Sequence, residues 1–176
     1  MPPGISEAKF PIKSFILASN MFRILFFTLI SFSLSSQALQ LAWFNQKENI
    51  KVADAKLDPG GNVILAGTFK GTVDFDFGPN KDEYTASGLH DAFVAKYDAY
   101  GNFKWVATIG NQNPETVSAI DIDPMGNIYA TGEFTGIQDF DPGPGTYNLS
   151  VHGYVDIFVW VLRPDGTLLR AHAMGG

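Results

Sequence analysis

D-P-M-G-N-I-Y-A-T-G-E-F-T-G-I-Q-D-F-D, residues 123–141, decides the fold, because the chain carries it twice: residues 58–76 read D-P-G-G-N-V-I-L-A-G-T-F-K-G-T-V-D-F-D. In each copy Pro and Gly set a tight turn, a β-rich run follows, and a second Gly closes it. The two copies lie 65 positions apart. Slid by that distance, the chain matches itself without a gap from Val52 to Gly110, with 19 identities in 59 positions. Beyond the quoted stretch, Gly78-Pro79 falls on Gly143-Pro144, Gly88 on Gly153, and Asp91 on Asp156. Phe93-Val94 falls on Phe158-Val159, Gly101 on Gly166, and Gly110 on Gly175. A fixed period of this size is the mark of a stacked or radial repeat architecture.

Working outward, the local signals are those of strands. Val117 to Ile122 precedes the quoted turn, and Asn127 to Phe134 follows it. Asp156 to Leu162 (D-I-F-V-W-V-L) is an almost continuous apolar run, the pattern of a strand buried on both faces. Arg163-Pro164-Asp165-Gly166 is a turn, and Thr167 to Ala173 alternates as a fourth strand. Four strands joined by tight turns are what a propeller blade requires. The stretch from Gly136 to Gly153, between the second and third strands, has the length of an added hairpin or loop. The expected fold is therefore all-β: two tandem, blade-like, four-stranded antiparallel repeats of about 65 residues, each with an inserted hairpin, after a helical signal segment. Residues 51–110 form repeat 1 and 111–176 repeat 2, with 39–50 a lead-in strand; Gln40 to Asn45 resembles the fourth-strand stretch from Lys104 to Gly110.

Composition agrees. Hydrophobic residues make up 45% of the 176 and aromatics 14%, with 15 Phe and 18 Gly, which suits pleated strands and tight turns. A net charge of −6 without a basic stripe repels phosphate backbones and argues against nucleic-acid binding. The absence of Cys excludes disulfides, thiol catalysis and Cys-ligated zinc. Core burial, repeat stacking or bound ions must then hold the fold.

Ile24 to Phe32 (I-L-F-F-T-L-I-S-F) is a short apolar run behind Arg23, with small residues at −3 and −1 of a cut after Ala38. That is the pattern of a secretory signal peptide, and the run is short for a membrane span. Residues 1–38 are thus read as an upstream extension plus signal, with Met21 an alternative start. The expected location is secreted or cell-surface, with no stable membrane insertion after cleavage.

D-x-x-G-N-(I/V)-x-x-x-G-x-F-x-G-x-x-D-F-D-x-G-P, followed by D-x-F-V and the strand Gly101-Asn102-Phe103-Lys104-Trp105, resembles the SBBP-type β-propeller repeats over roughly Val52 to Gly175. That resemblance implies seven-bladed propeller repeats that serve as extracellular or cell-surface modules of exported bacterial proteins; the expected role here is a binding or scaffold module for a protein or carbohydrate ligand. Two copies are too few to close a ring. A truncated gene product, a small two-sheet domain, and a protomer that completes its ring by self-association or further repeats all fit.

The candidate site is the pair of D-F-D motifs. On a strand, Asp74 and Asp76 share one face, as do Asp139 and Asp141, and such carboxylates beside Gly-rich turns are hard oxygen ligands suited to Ca²⁺. The alternative is that each Asp opens a turn by accepting backbone N–H bonds. A glycoside-active pair is disfavoured because the motif recurs, whereas catalytic sites are asymmetric. Asp91 and Asp156 either cap the turn before the third strand or face a central channel. Trp43, Trp105 and Trp160 are core or sugar-stacking residues. His90, His152 and His172 lack metal spacing, and Asn148-Leu149-Ser150 fits a glycosylation sequon.

Overall fold

The computed structural model describes residues 48–176. The signal segment, Trp43 and the lead-in stretch to Lys47 lie outside the described residues. Twelve strands run in chain order: β1 (Ile50–Leu57), β2 (Val63–Phe69), β3 (Thr72–Asp74), β4 (Glu83–Thr85), β5 (Asp91–Tyr97), β6 (Phe103–Ile109), β7 (Thr116–Ile122), β8 (Ile128–Phe134), β9 (Ile137–Asp139), β10 (Asn148–Ser150), β11 (Asp156–Leu162) and β12 (Leu168–Met174). They form two four-stranded antiparallel sheets, β1-β2-β5-β6 and β7-β8-β11-β12, each with a two-stranded hairpin inserted after its second strand, β3-β4 or β9-β10. This is the expected all-β, blade-like pair, and the stretch from Gly136 to Gly153 is the expected hairpin.

The turns explain the recurring polar residues. In Asp58-Pro59-Gly60-Gly61-Asn62, Asp58 Oδ1 accepts from the amides of Gly60 and Asn62, while Asn62 Nδ2 donates to Asp58 Oδ2 at 2.8 Å. Gly61 takes φ +78°, a left-handed conformation that glycine adopts without strain. Asp123 and Asn127 repeat the arrangement, and so do Asp98 and Asn102 within repeat 1. D-x-x-G-N is therefore a hydrogen-bonded hairpin unit.

The sheets pack in series, face to face. On β2 and β5 of the first sheet, Ile64, Ala66, Ala92 and Val94 share one face by register. That face joins Ile128, Ala130, Phe134, Phe158 and Trp160 of the second sheet in one buried cluster with Phe140. Burying side chains of this size contributes about 1.5–3 kcal/mol each. Polar links pin the alignment: Ile120 N donates to Asp54 Oδ2 at 3.1 Å, joining β7 to β1. Trp105 Nε1 and Lys96 Nζ both donate to the Pro164 carbonyl in the β11–β12 turn. Lys96 also pairs with Asp58 at 2.8 Å in a largely buried setting. Burial alone would raise the Asp58 carboxyl, but the Lys96 and Asn62 bonds outweigh it and hold it below its ordinary value.

Burial departs from expectation at one strand. β5 is covered on both faces, yet β11 is not, because Ile157 is 49% exposed where its counterpart Ala92 is fully buried. The second sheet covers Ala92; among the described residues nothing covers Ile157 to the same degree.

Candidate functional site

The D-F-D motifs sit where β3 and β9 end. The expectation of two strand carboxylates on a shared face is corrected: the strands stop at Asp74 and Asp139, and the chain turns there. Asp74 Oδ1 accepts from the amides of Asp76 and Asp82, at 3.1 and 2.9 Å, and Asp139 Oδ1 does the same for Asp141 and Tyr147. Asp76 and Asp141 then accept from Gly78 N and Gly143 N. Backbone donors end the strand pairing at these points, so each Asp is a turn former in its geometry. Repeat 1 adds Asp82 to the loop, and burial with the like charges of Asp74 and Asp76 holds its carboxyl above the ordinary value.

The Phe between the two Asp residues points to the sheet. Phe75 and Phe140 are fully buried. The Phe140 ring lies 5.3, 5.2 and 6.4 Å from those of Phe134, Phe158 and Trp160. Its carbonyl accepts from Trp160 Nε1 at 2.9 Å, and the Phe75 carbonyl accepts from Tyr97 Oη at the same distance. Trp160 is thus core, and Trp105 is partly buried against the same cluster.

Asp91 caps the turn before β5, its carboxylate accepting from Ser87 N and Gly88 N, and Asp156 accepts from His152 N. Each carboxylate lies over a glycine: a Cβ on Gly110 or Gly175 would come within 2.0 Å of Asp91 or Asp156. That contact explains why both glycines recur. Among the described residues, no three His, Asp or Glu side chains gather in a group that could hold a metal ion, and the three His are dispersed.

The junction between the sheets holds a residue the sequence reading missed. Glu115, just before β7, is fully buried; its Oε2 accepts from Asn111 N at 3.1 Å, while its Oε1 has no partner. Burial, helped by the negative charge of Asp91, pushes its carboxyl up to about 7. Because the folded state holds this proton more tightly than the unfolded chain, stability is greatest below the ordinary Glu range and falls as pH rises to about 7. In chelator-containing buffer, urea midpoints between pH 4.5 and 7.5 should show a loss of roughly 3 kcal/mol from this group. Glu115→Gln should abolish that component; an unchanged profile in the variant would contradict the assignment.

At the end of the sheets where β7 begins, two open clefts meet at His90 and Thr116. Their varying residues are those that differ between repeats: Leu89 and Tyr154 are equivalent, as are Lys70 and Thr135, and Thr68 and Glu133. Leu89 and Tyr154 are both strongly exposed. The scaffold glycines and phenylalanines repeat, and this rim does not. Such a surface can contact a ligand, since an exposed apolar side chain stands beside neutral and charged polar groups.

Two four-stranded antiparallel sheets of identical strand order, stacked in series, define an all-β protein of blade-like repeats. Over 114 residues the chain is 31% identical to an uncharacterised WD repeat-containing protein of Acanthamoeba polyphaga mimivirus, a match covering 56% of this chain. The match spans only 8% of that relative's length. No family model matches the chain.

Proposed function

We propose that this chain is an exported β-propeller scaffold of the SBBP type, whose open sheet face takes a further blade-like repeat. The observation that carries the reading is the contrast between equivalent surfaces. Ala92 and Ile109 of the first sheet are buried beneath the second, while their counterparts Ile157 and Met174 are about half exposed. Likeness to a WD repeat-containing protein supports the propeller part, and the apolar run behind Arg23 supports export. Propeller scaffolds present ligands at blade ends, where the rim of Leu89 and Tyr154 stands, and the ligand class proposed is protein or carbohydrate.

Light scattering across a concentration series tests the open face. Association that grows with concentration and is weakened by Ile157→Glu, with the circular dichroism of the parent retained, is expected. A monodisperse monomer indifferent to Ile157→Glu would overturn it. Export is tested separately, by N-terminal sequencing after expression in a secreting host: a mature start at Leu39 is expected.

Calcium stiffening through Asp74, Asp76, Asp139 and Asp141 is a second reading, which rests on the recurrence of the acidic D-F-D motif in both repeats. It expects the double variant Asp74→Asn/Asp139→Asn to lose any drop in thermal midpoint caused by chelator.

A further inference from the structure

Lys51 on β1 lies directly opposite Thr68 on β2, so the two side chains share one face of the first sheet. Thr68 continues the face of Ile64 and Ala66, which is turned to the second sheet. Lys70 follows two residues beyond Thr68, where its amide still donates to the Asn49 carbonyl at 2.9 Å and prolongs the ladder. Lys51 and Lys70 are therefore diagonal neighbours on that face, with Cα atoms about 7–8 Å apart. Across from them β7 begins, and an open cleft of about 630 Å³ is lined by both lysines and by Thr116 and Ser118.

Charge sets this cleft apart. Lys81, Lys96 and Lys104 each pair with an acid, whereas Lys51 and Lys70 have no ion-pair partner among the described residues, although Glu48 lines the same cleft. Two like charges this close repel, and a bound anion would offset the repulsion. The fold does not require them, because the equivalent residues in repeat 2 are Thr116 and Thr135. Lysine on an edge strand deters strand addition, which would suit β1, but β2 is an interior strand and Lys70 has no such role. The apolar part of the cleft is aliphatic. Leu89 in its lining is 76% exposed, while Phe69 is 2% exposed and offers no ring face for a sugar to stack on.

We propose that this cleft binds an acidic peptide segment, with an Asp or Glu carboxylate held between Lys51 and Lys70 and a neighbouring aliphatic side chain resting on Leu89. Thr68, Thr116 and His90 line the same cleft and carry further hydrogen-bond donors for the peptide. Such a site presupposes the ligand-presenting scaffold proposed above and selects a protein ligand over a carbohydrate one. It leaves the open face around Ile157 to a further repeat.

The test is fluorescence anisotropy of a labelled acidic peptide, Gly-Glu-Leu-Glu-Gly, titrated with the full chain at neutral pH and low salt. Saturable binding is expected, weakened at least about tenfold in Lys51→Ala/Lys70→Ala and for the peptide Gly-Gln-Leu-Gln-Gly, and weakened by added salt. Both lysines are exposed, so the double variant should keep the circular dichroism of the parent. Ile157→Glu should bind the peptide as the parent does. No saturable binding by the parent, equal binding of the glutamine peptide, or parent-like affinity in the lysine variant would overturn the site. Loss of binding in Ile157→Glu alone would place the peptide on the open face and overturn it too, as would a labelled oligogalacturonate that binds where the peptide does not. Light scattering on the same proteins separates the two readings: absent peptide binding with association intact overturns the cleft alone, whereas absent association overturns the scaffold reading.

Discussion

Gly132→Ala is expected to destabilise the chain by at least about 3 kcal/mol, with Gly67→Ala close behind. A Cβ on Gly132 would lie 1.7 Å from the Thr116 carbonyl oxygen, and one on Gly67 2.0 Å from that of Lys51. Both contacts are with backbone, which cannot rotate away. The crowding has a cause in the register. β7 shifts between Val117 and Ala119 opposite Gly132, and β1 shifts between Val52 and Asp54 opposite Gly67. These are β-bulges, where the strand kinks and a neighbour's backbone comes close. The bulge in β1 also matters between sheets, because it precedes Asp54, whose carboxylate reaches Ile120 N. Chemical denaturation is the measurement. A loss below about 1 kcal/mol would mean that the strands separate easily here and that the bulge is not a fixed feature.

Phe140→Ala should cost about 3–5 kcal/mol, the range for removing a buried aromatic ring. Its ring fills the space between Phe134, Phe158 and Trp160, and the surrounding sheet cannot collapse into the gap without moving the hairpin that carries it. Asp139→Asn, one residue away, should cost only about 1 kcal/mol, since the amide oxygen still accepts from the Asp141 and Tyr147 backbone. The contrast separates two uses of D-F-D: the acids turn the chain and the ring anchors it. Equal losses for the two variants, measured by urea unfolding, would contradict that division.

Much of the fold could be read from the sequence because the turn residues punctuate it. Pro, Gly and the D-x-x-G-N unit fixed where β7 ends and β8 begins, and β11 runs from Asp156 to Leu162 as its apolar pattern implied. Function was less legible. The spacing of Asp74 and Asp76 suggested a strand face, but side-chain capping of the backbone ended the strand first, a local competition that periodicity does not register. Ile157 looked like core because its residue type is apolar, whereas its exposure depends on which neighbour covers it. Glu115 gave no signal at all, because its burial arises only where Asn111, Asp91 and the second sheet meet. Even the shared Phe carbonyl is met differently: Tyr97 serves it in repeat 1, and Trp160, equivalent to Ala95, in repeat 2. Large and small residues exchange places two positions apart on the same face, so alignment alone conceals the common contact.

The most direct test of the stacked-blade arrangement is amide hydrogen exchange at Ile120, comparing the parent with Asp54→Ala. Ile120 N–H donates across the sheets to Asp54. Strong protection in the parent, lost at Ile120 in Asp54→Ala while Ile64 and Ala130 stay protected, is the expected result. Protection at Ile120 that is absent in the parent, or indifferent to the substitution, would mean that the two sheets do not pack β1 against β7.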